Sequence, residues 1–348
     1  MNILVIRFRE MGDAIIATPL LASLRKSFPE ALIDYVVNAN IAPLFEGHPH
    51  ISRLITFTAD ERHNTPLYLQ KVWKTVHTTR YDIIIDLHST FESMAFSVFS
   101  RASSWRIGLA KSYTRPVFTH VIPRCGDDES MIDHNLQFLR PLADNYTITY
   151  DKNVYLSVTE KEKQDFRTYM AQQGIDYSRP IMLAGVTGKI ESKTWKQDRM
   201  IEILRRIMHR YPRLQIIFNY APGREADNAR AIFEQLDSPE QVFIDIQARS
   251  SRALAAMASN IDFYFGNEGG ARHIVHAMGR PSFVICSPMA PKATWIPADS
   301  DVLARGIEAA DLVSRSDLAR MDALQRYDAI TVEAVWQPLL AFCEQLSI

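Results

Sequence analysis

At 348 residues the chain is too long for one ordinary core and suits two α/β domains of about 150 residues each, which implies a cleft between them. Hydrophobic residues make up 47% and charged residues 23%, the balance of a folded globular protein. The 39 Lys and Arg nearly cancel the 40 Asp and Glu, so no global field draws the chain to nucleic acid, and an anionic partner must be met by a local patch. Cys125, Cys286 and Cys343 are odd in number and lack CxxC spacing, which argues against a disulfide framework or zinc site and fits a reducing cytoplasm.

The opening segment, Met1 to Arg7, runs straight into a strand without the regions of a signal peptide, and no apolar run approaches the roughly 18 residues of a membrane span. Short β-branched runs then alternate with helical patterns. Ile3–Ile6, Leu32–Val37, Ile83–Leu87 and Val117–Ile122 read as strands, and Leu20, Leu21 and Leu24 lie on a helix between the first two. That alternation is the pattern of parallel βαβ units in an open α/β sheet covered by helices. Tyr150 to Asn153 reads as the connection, so residues 1–150 form the first domain and 151–330 the second.

In the second domain the strands are Ile181–Ala184, Leu214–Phe218, Val242–Ile244, Ile261–Phe265 and Phe283–Cys286, with Met200, Ile203, Leu204 and Ile207 at helical spacing. Residues 331–348 carry Val332, Val335, Trp336, Leu339, Leu340 and Cys343 on one helical face. Thr331 is placed as its N-cap and Pro338 as a kink, and the helix is expected to return to the first domain.

The loop Arg7 to Asp13 follows the first strand, at the edge where open α/β sheets bind ligands. Its single glycine, Gly12, rules out the dinucleotide fingerprint GxGxxG. Two readings stand for Asp13: a carboxylate capping the helix start, or a general base for an acceptor hydroxyl. Between Glu92 and Asp127 there is no acidic residue, whereas Arg101, Arg106, Lys111, Arg115 and Arg124 fall there among Trp105, Tyr113 and Phe118. That stretch is either a solvated basic face or a pocket for a phosphorylated or carboxylated acceptor.

In the second domain, Gly266 to His273 follows a strand and opens a helix, so Gly269 and Gly270 allow backbone N–H groups to approach a diphosphate. The loop Gly185 to Lys189, holding Thr187, leads to Lys193, Trp195 and Lys196. A lysine there can neutralise a leaving diphosphate in place of a metal ion, though surface lysines are common. Glu225, after Pro222-Gly223-Arg224, can accept from ribose hydroxyls. There is no DxD pair near a strand end, no histidine cluster with metal-ligand spacing, and no GxSxG elbow or GxxxxGK[ST] loop.

Met11-Gly12-Asp13-Ala14-Ile15-Ile16-Ala17-Thr18-Pro19, Leu24 to Pro29, Asp86-Leu87-His88, Arg106-Ile107-Gly108, Lys193-Thr194-Trp195, Pro222 to Glu225, Gly266 to His273 and Gly279-Arg280-Pro281 together resemble the lipopolysaccharide heptosyltransferases, glycosyltransferase family 9. The resemblance covers nearly the whole chain in order. It implies a GT-B fold of two Rossmann-like domains and a metal-independent, inverting transfer without cofactor. It also implies an ADP-heptose donor in the second domain and an anionic lipopolysaccharide-core acceptor in the first, with peripheral contact at the cytoplasmic face of the inner membrane. By that resemblance Asp13 and Lys193 are catalytic. Thr187, Lys193, Glu225, Glu268, Gly269, Gly270 and His273 bind the donor, and Arg7, Met11, Gly12, His88, Arg106, Lys111 and Arg115 the acceptor. The sequence departs from the family at Glu268-Gly269-Gly270, where Asp-Ser/Thr-Gly is usual, and at Ala271-Arg272, which leaves the donor nucleotide open. A sugar-nucleotide epimerase on the same fold and a non-catalytic glycan-binding protein are the alternatives.

Overall fold

The computed structural model describes residues 1–126, 129–296 and 300–348. They form two compact units, Met1–Ser157 and Val158–Ile348, divided within the extended stretch that follows Tyr150. The first unit holds β1 (Asn2–Ile6), β2 (Leu32–Asn38), β3 (Arg53–Phe57), β4 (Ile83–Asp86), β5 (Trp105–Leu109) and β6 (His120–Ile122), ordered β3-β2-β1-β4-β5-β6. The second holds β7 (Ile181–Gly185), β8 (Gln215–Phe218), β9 (Val242–Phe243), β10 (Phe263–Asn267), β11 (Ser282–Ile285) and β12 (Ala304–Ile307), ordered β12-β11-β10-β7-β8-β9. Every described pairing is parallel.

The central strands explain why. Ile3 to Ile6 and Ile83 to Ile85 are wholly buried, as a parallel strand covered on both faces requires. Each such side chain contributes roughly 1.5–3 kcal/mol on burial, so a short apolar run suffices to fix the middle of a sheet. Strands β3, β5 and β12 lack that signal: β3 and β12 are edge strands, and β5 is interrupted by Arg106 and Gly108. The strand expected from Val117 begins only at His120, because the Val117 and Phe118 N–H groups bond back to the Thr114 carbonyl and close a turn.

The Thr18–Ser27 helix takes Pro19 in its first turn, where no N–H is needed, and buries Leu20, Leu21 and Leu24. The Gln197–Arg210 helix buries Met200, Ile201, Ile203, Leu204 and Ile207 along one stripe.

The C-terminal helix corrects an expectation. Val332–Gln345, capped by Thr331 accepting from the Ala334 N–H at 3.2 Å, lies against the Gln197–Arg210 helix and β11. Val335, Leu339, Phe342 and Cys343 are buried in the core of the second unit, so the apolar face expected to meet the first domain is spent in the second. Phe342 stands edge-on to Phe263 and Phe283, with ring centroids 6.0 and 5.8 Å away. Truncation of Phe342 to Ala should cost the second unit about 3–5 kcal/mol. In urea unfolding followed by hydrogen exchange, protection should fall in β10 and β11 and stay unchanged in β1 and β4; equal loss in both would contradict this packing.

Candidate functional site

In each sheet the strand order reverses beside the unit's first strand, between β1 and β4 and between β7 and β10, the point at which open α/β sheets bind ligands beyond the carboxyl ends of the strands. In the first unit β1 delivers Arg7. Its N–H bonds to the Val36 carbonyl at 3.0 Å, which turns the side chain inward to 5% exposure. Nη1 donates to the Leu87 carbonyl at 2.5 Å and Nη2 to Asp13 Oδ1 at 2.8 Å, while Nε has no partner.

Asp13 does not cap its helix. The Met11–Ile16 helix is preceded by Glu10 with no side-chain cap, and Asp13 lies in its first turn, where it pairs with Arg7. Met11 and Gly12 are half-buried beside it.

At the end of β4, Asp86 accepts from the N–H groups of His88 (3.0 Å) and Ser89 (2.7 Å), and Ser89 closes the turn at φ 50°. Burial pushes the Asp86 carboxyl up to about 6, the bonds from Ser89, Ser93 and His88 only partly opposing it. Lys111 reaches back to donate to the His88 and Ser89 carbonyls at 3.0 and 2.6 Å. Burial, aided by the charges of Arg9, Arg7, Lys111 and Arg62, holds His88 down to about 3, so its imidazole is neutral.

Arg7, Asp13, His88 and Lys111 are thus gathered at one strand edge. Arg106 is not: its guanidinium is occupied by the carbonyls of Val117, Arg101 and Ser103. Arg115 is exposed on the turn between β5 and β6. Arg9 belongs to this cluster without having stood out, and Asp86, quoted only as part of the Asp86-Leu87-His88 motif, was given no role of its own.

Among the described residues, one trio could hold a metal ion: Cys125, Glu129 and His134, with ligand atoms within 4.8 Å of one another. The sequence reading found no metal-ligand spacing because these positions follow no recurrent motif. Burial, with a smaller contribution from Arg7, keeps His134 below the usual histidine range even though Glu129 opposes the shift.

In the second unit the crevice is made by close backbone contact. Gly266 sits at φ 145°, and a Cβ there would strike the backbone of Gly185, while a Cβ on Gly185 would strike the Tyr264 hydroxyl. Asn267, 2% exposed, then ties two loops together: Oδ1 accepts from the Trp195 N–H at 2.7 Å and Nδ2 donates to the Gly185 carbonyl at 3.0 Å. This fixes the strap Lys193-Thr194-Trp195, whose indole is itself buried with Nε1 donating to the Ile330 carbonyl at 2.8 Å. Asn267 was missed because a buried amide bridging loops 72 residues apart leaves no local pattern.

Lys193 ends the short turn Glu191–Lys193 and is half-buried, near enough for its charge to act on Glu268. Glu268 Oε2 accepts from the Ser287 N–H at 3.0 Å, and burial raises its carboxyl above the ordinary range. Thr187 Oγ1 and the Ala221 N–H both donate to Glu225 Oε2 at 3.3 Å, joining the ends of β7 and β8. Gly269 precedes the Gly270–Ala277 helix with no side-chain cap, so the first N–H groups of that helix remain available to an anion. His273, in the second turn of this helix, meets the Trp295 ring edge-on at 5.7 Å, and burial keeps it neutral. Thr187, Lys193, Glu225, Glu268, Gly269, Gly270 and His273 therefore all belong to the carboxyl ends of β7, β8 and β10.

Residues 69–320 match the description glycosyltransferase family 9 (heptosyltransferase). Lipopolysaccharide heptosyltransferase 1 of Campylobacter coli is 23% identical over 298 residues, covering 82% of this chain and 83% of that protein. The structure of a glycosyl transferase family 9 protein from Veillonella parvula superposes with a TM-score of 0.82 at 19% identity, covering 99% of this chain and 96% of that one. E. coli heptosyltransferase WaaC with ADP-2-deoxy-2-fluoro heptose superposes at 0.70 and 15% identity, covering 98% and 100%.

Two parallel α/β units with this order of motifs define a glycosyltransferase of the GT-B fold. The chain belongs to glycosyltransferase family 9, the heptosyltransferases. No helix among the described residues is long and apolar enough to cross a membrane.

Proposed function

We propose that this chain transfers heptose from ADP-heptose to an anionic lipopolysaccharide-core acceptor by direct, inverting displacement without a metal ion. The observation that carries the reading is the convergence of Thr187, Glu225, Lys193 and the open start of the Gly270–Ala277 helix at one strand edge. The likeness to a heptosyltransferase holding an ADP-heptose analogue supports the same donor.

In this reading Glu225 accepts from the ribose hydroxyls, beside Thr187. Lys193 and the N–H groups at Gly269 and Gly270 meet the diphosphate, with Glu268 and His273 completing the donor site. Arg7 holds one oxygen of Asp13. The carboxylate takes the proton of an acceptor hydroxyl, whose oxygen attacks the anomeric carbon as its bond to the diphosphate oxygen breaks. The negative charge that develops on the departing ADP is met by Lys193 and the helix start, groups already in place, which is the source of rate. The neutral His88, Lys111, Arg115 and the backbone at Met11 and Gly12 receive the acceptor, whereas Arg106 serves by shaping the turn between β5 and β6.

Calorimetric titration of metal-free protein with ADP, UDP and GDP tests the donor. ADP should bind best, and Lys193→Ala should weaken it about 10- to 100-fold, the worth of hydrogen bonding to a charged group. Preference for UDP or GDP would move the donor to another sugar nucleotide. ADP affinity unmoved by the substitution would remove Lys193 from the diphosphate.

A further inference from the structure

Arg272 has no role in the mechanism above, yet it is the most unusual side chain of the second unit. It lies in the first turn of the Gly270–Ala277 helix, three residues after Gly269, and is 2% exposed. Nη1 donates to a neutral acceptor, the Trp295 carbonyl, at 2.8 Å, while Nε and Nη2 are buried without a hydrogen-bond partner among the described residues. Among the described residues no carboxylate accepts from this guanidinium. Glu268, which acts on it through space, already accepts from the Ser287 N–H. The remaining ionisable groups around it, Tyr264, Cys286, His273 and His276, are all held neutral by burial.

A buried cation without a counter-ion is costly, and proteins normally pair or remove it. This one stands in the turn whose uncapped N–H groups make the helix start positive. First-turn side chains lean towards the helix start, which directs the arginine to the same end. Gly269 meanwhile offers no hydroxyl to an anion. We propose that Arg272 is the fixed cation of the diphosphate subsite, its guanidinium left without a hydrogen-bonded carboxylate among the described residues so that the bound diphosphate supplies the counter-charge. It acts as a positioning and specificity residue, favouring a dianionic or trianionic ligand over an uncharged nucleoside. The inference rests on the donor reading given above.

The test compares wild type with Arg272→Met, which keeps an unbranched apolar stem and removes the charge, and with Arg272→Lys. ADP, adenosine and inorganic pyrophosphate are titrated calorimetrically, and the ligand-free proteins are melted. Arg272→Met should weaken ADP and pyrophosphate about 10- to 100-fold and leave adenosine unchanged. Its ligand-free melting temperature should equal or exceed that of wild type, because an unpaired buried charge has been removed. Arg272→Lys should recover part of the affinity. An Arg272→Met protein that binds pyrophosphate as well as wild type overturns the inference. So does one that melts lower and loses ADP and adenosine alike, since that marks a structural arginine. A wild type that binds pyrophosphate but prefers UDP or GDP would overturn the adenine donor alone.

Discussion

Asp13→Asn should lower the rate of transfer about 10²- to 10⁴-fold, the usual contribution of a positioned general base, while donor affinity stays as in wild type. The substitution is close to isosteric. An asparagine oxygen still accepts from Arg7 Nη2, so the geometry that now holds Asp13 at 2.8 Å is kept and only the capacity to take a proton is lost. It also removes the negative charge facing a buried guanidinium, so some stability should be lost with the rate. Single-turnover release of ADP from ADP-heptose and a core acceptor measures the chemistry, and calorimetry with ADP measures the donor site. Melting should fall under either role of Asp13, so donor affinity is what separates a base from a structural partner. Parallel loss of rate, affinity and melting temperature would make Asp13 a structural partner of Arg7 and nothing more.

Acid should unfold the second unit well above the carboxylate range. Burial holds His276 down to about 3, and His273 well below the ordinary value of 6.5. A histidine whose folded pKa is depressed stabilises the fold above its unfolded pKa, and that stability is lost as pH falls towards the folded value. The window runs from 6.5 down to about 3. His276 costs about 1.4 kcal/mol per pH unit inside that window, so it removes about 2 kcal/mol between pH 6.5 and 5, and His273 acts in the same direction.

The first unit has the same tendency through His48, lowered by burial to about 4, and His88. In each unit a buried carboxyl works against it, Asp86 in the first and Glu268 in the second: a raised carboxyl destabilises the fold at neutral pH, and for Asp86 the penalty fades as pH falls through 6. Both units should therefore lose stability in this window. Melting curves from pH 7.5 to 5 should show a steep fall that His276→Gln makes shallower. A flat profile over that range would mean that both rings are solvated or paired in solution.

The strands at the two crevices were legible because chemistry and periodicity coincide there. Ile3 to Ile6 and Phe263 to Phe265 are unbroken apolar runs, each followed at once by charged or glycine-rich loops. What could not be read is where long-range partners fall. Arg7 and Asp13 are six residues apart, yet the sequence offered two roles for the aspartate and no partner for it. Asn267 looks like an ordinary loop polar residue until Trp195 and Gly185 arrive from elsewhere in the chain. Arg106 sits in a basic stretch that suggested a ligand, and backbone carbonyls nearby consume its donors instead. The C-terminal helix declared an apolar face through Val335, Leu339 and Cys343, but amphipathicity says only that a helix packs and not which sheet receives it.

That helix carries a consequence for the order in which the chain is made. The first sheet is complete once β6 has emerged, and the helical segment that finishes its core, with Phe138, Leu139 and Leu142 buried, follows at once, by residue 144. The second core waits for Val335 to Cys343, made about 150 residues after β7; at 5–20 residues per second its apolar strands stand open for roughly ten seconds or more on the ribosome. The second unit is thus the part of the chain whose apolar strands stay open longest during synthesis, and the Lys193 strap, anchored through Trp195 to the Ile330 carbonyl, is among the last features to be set.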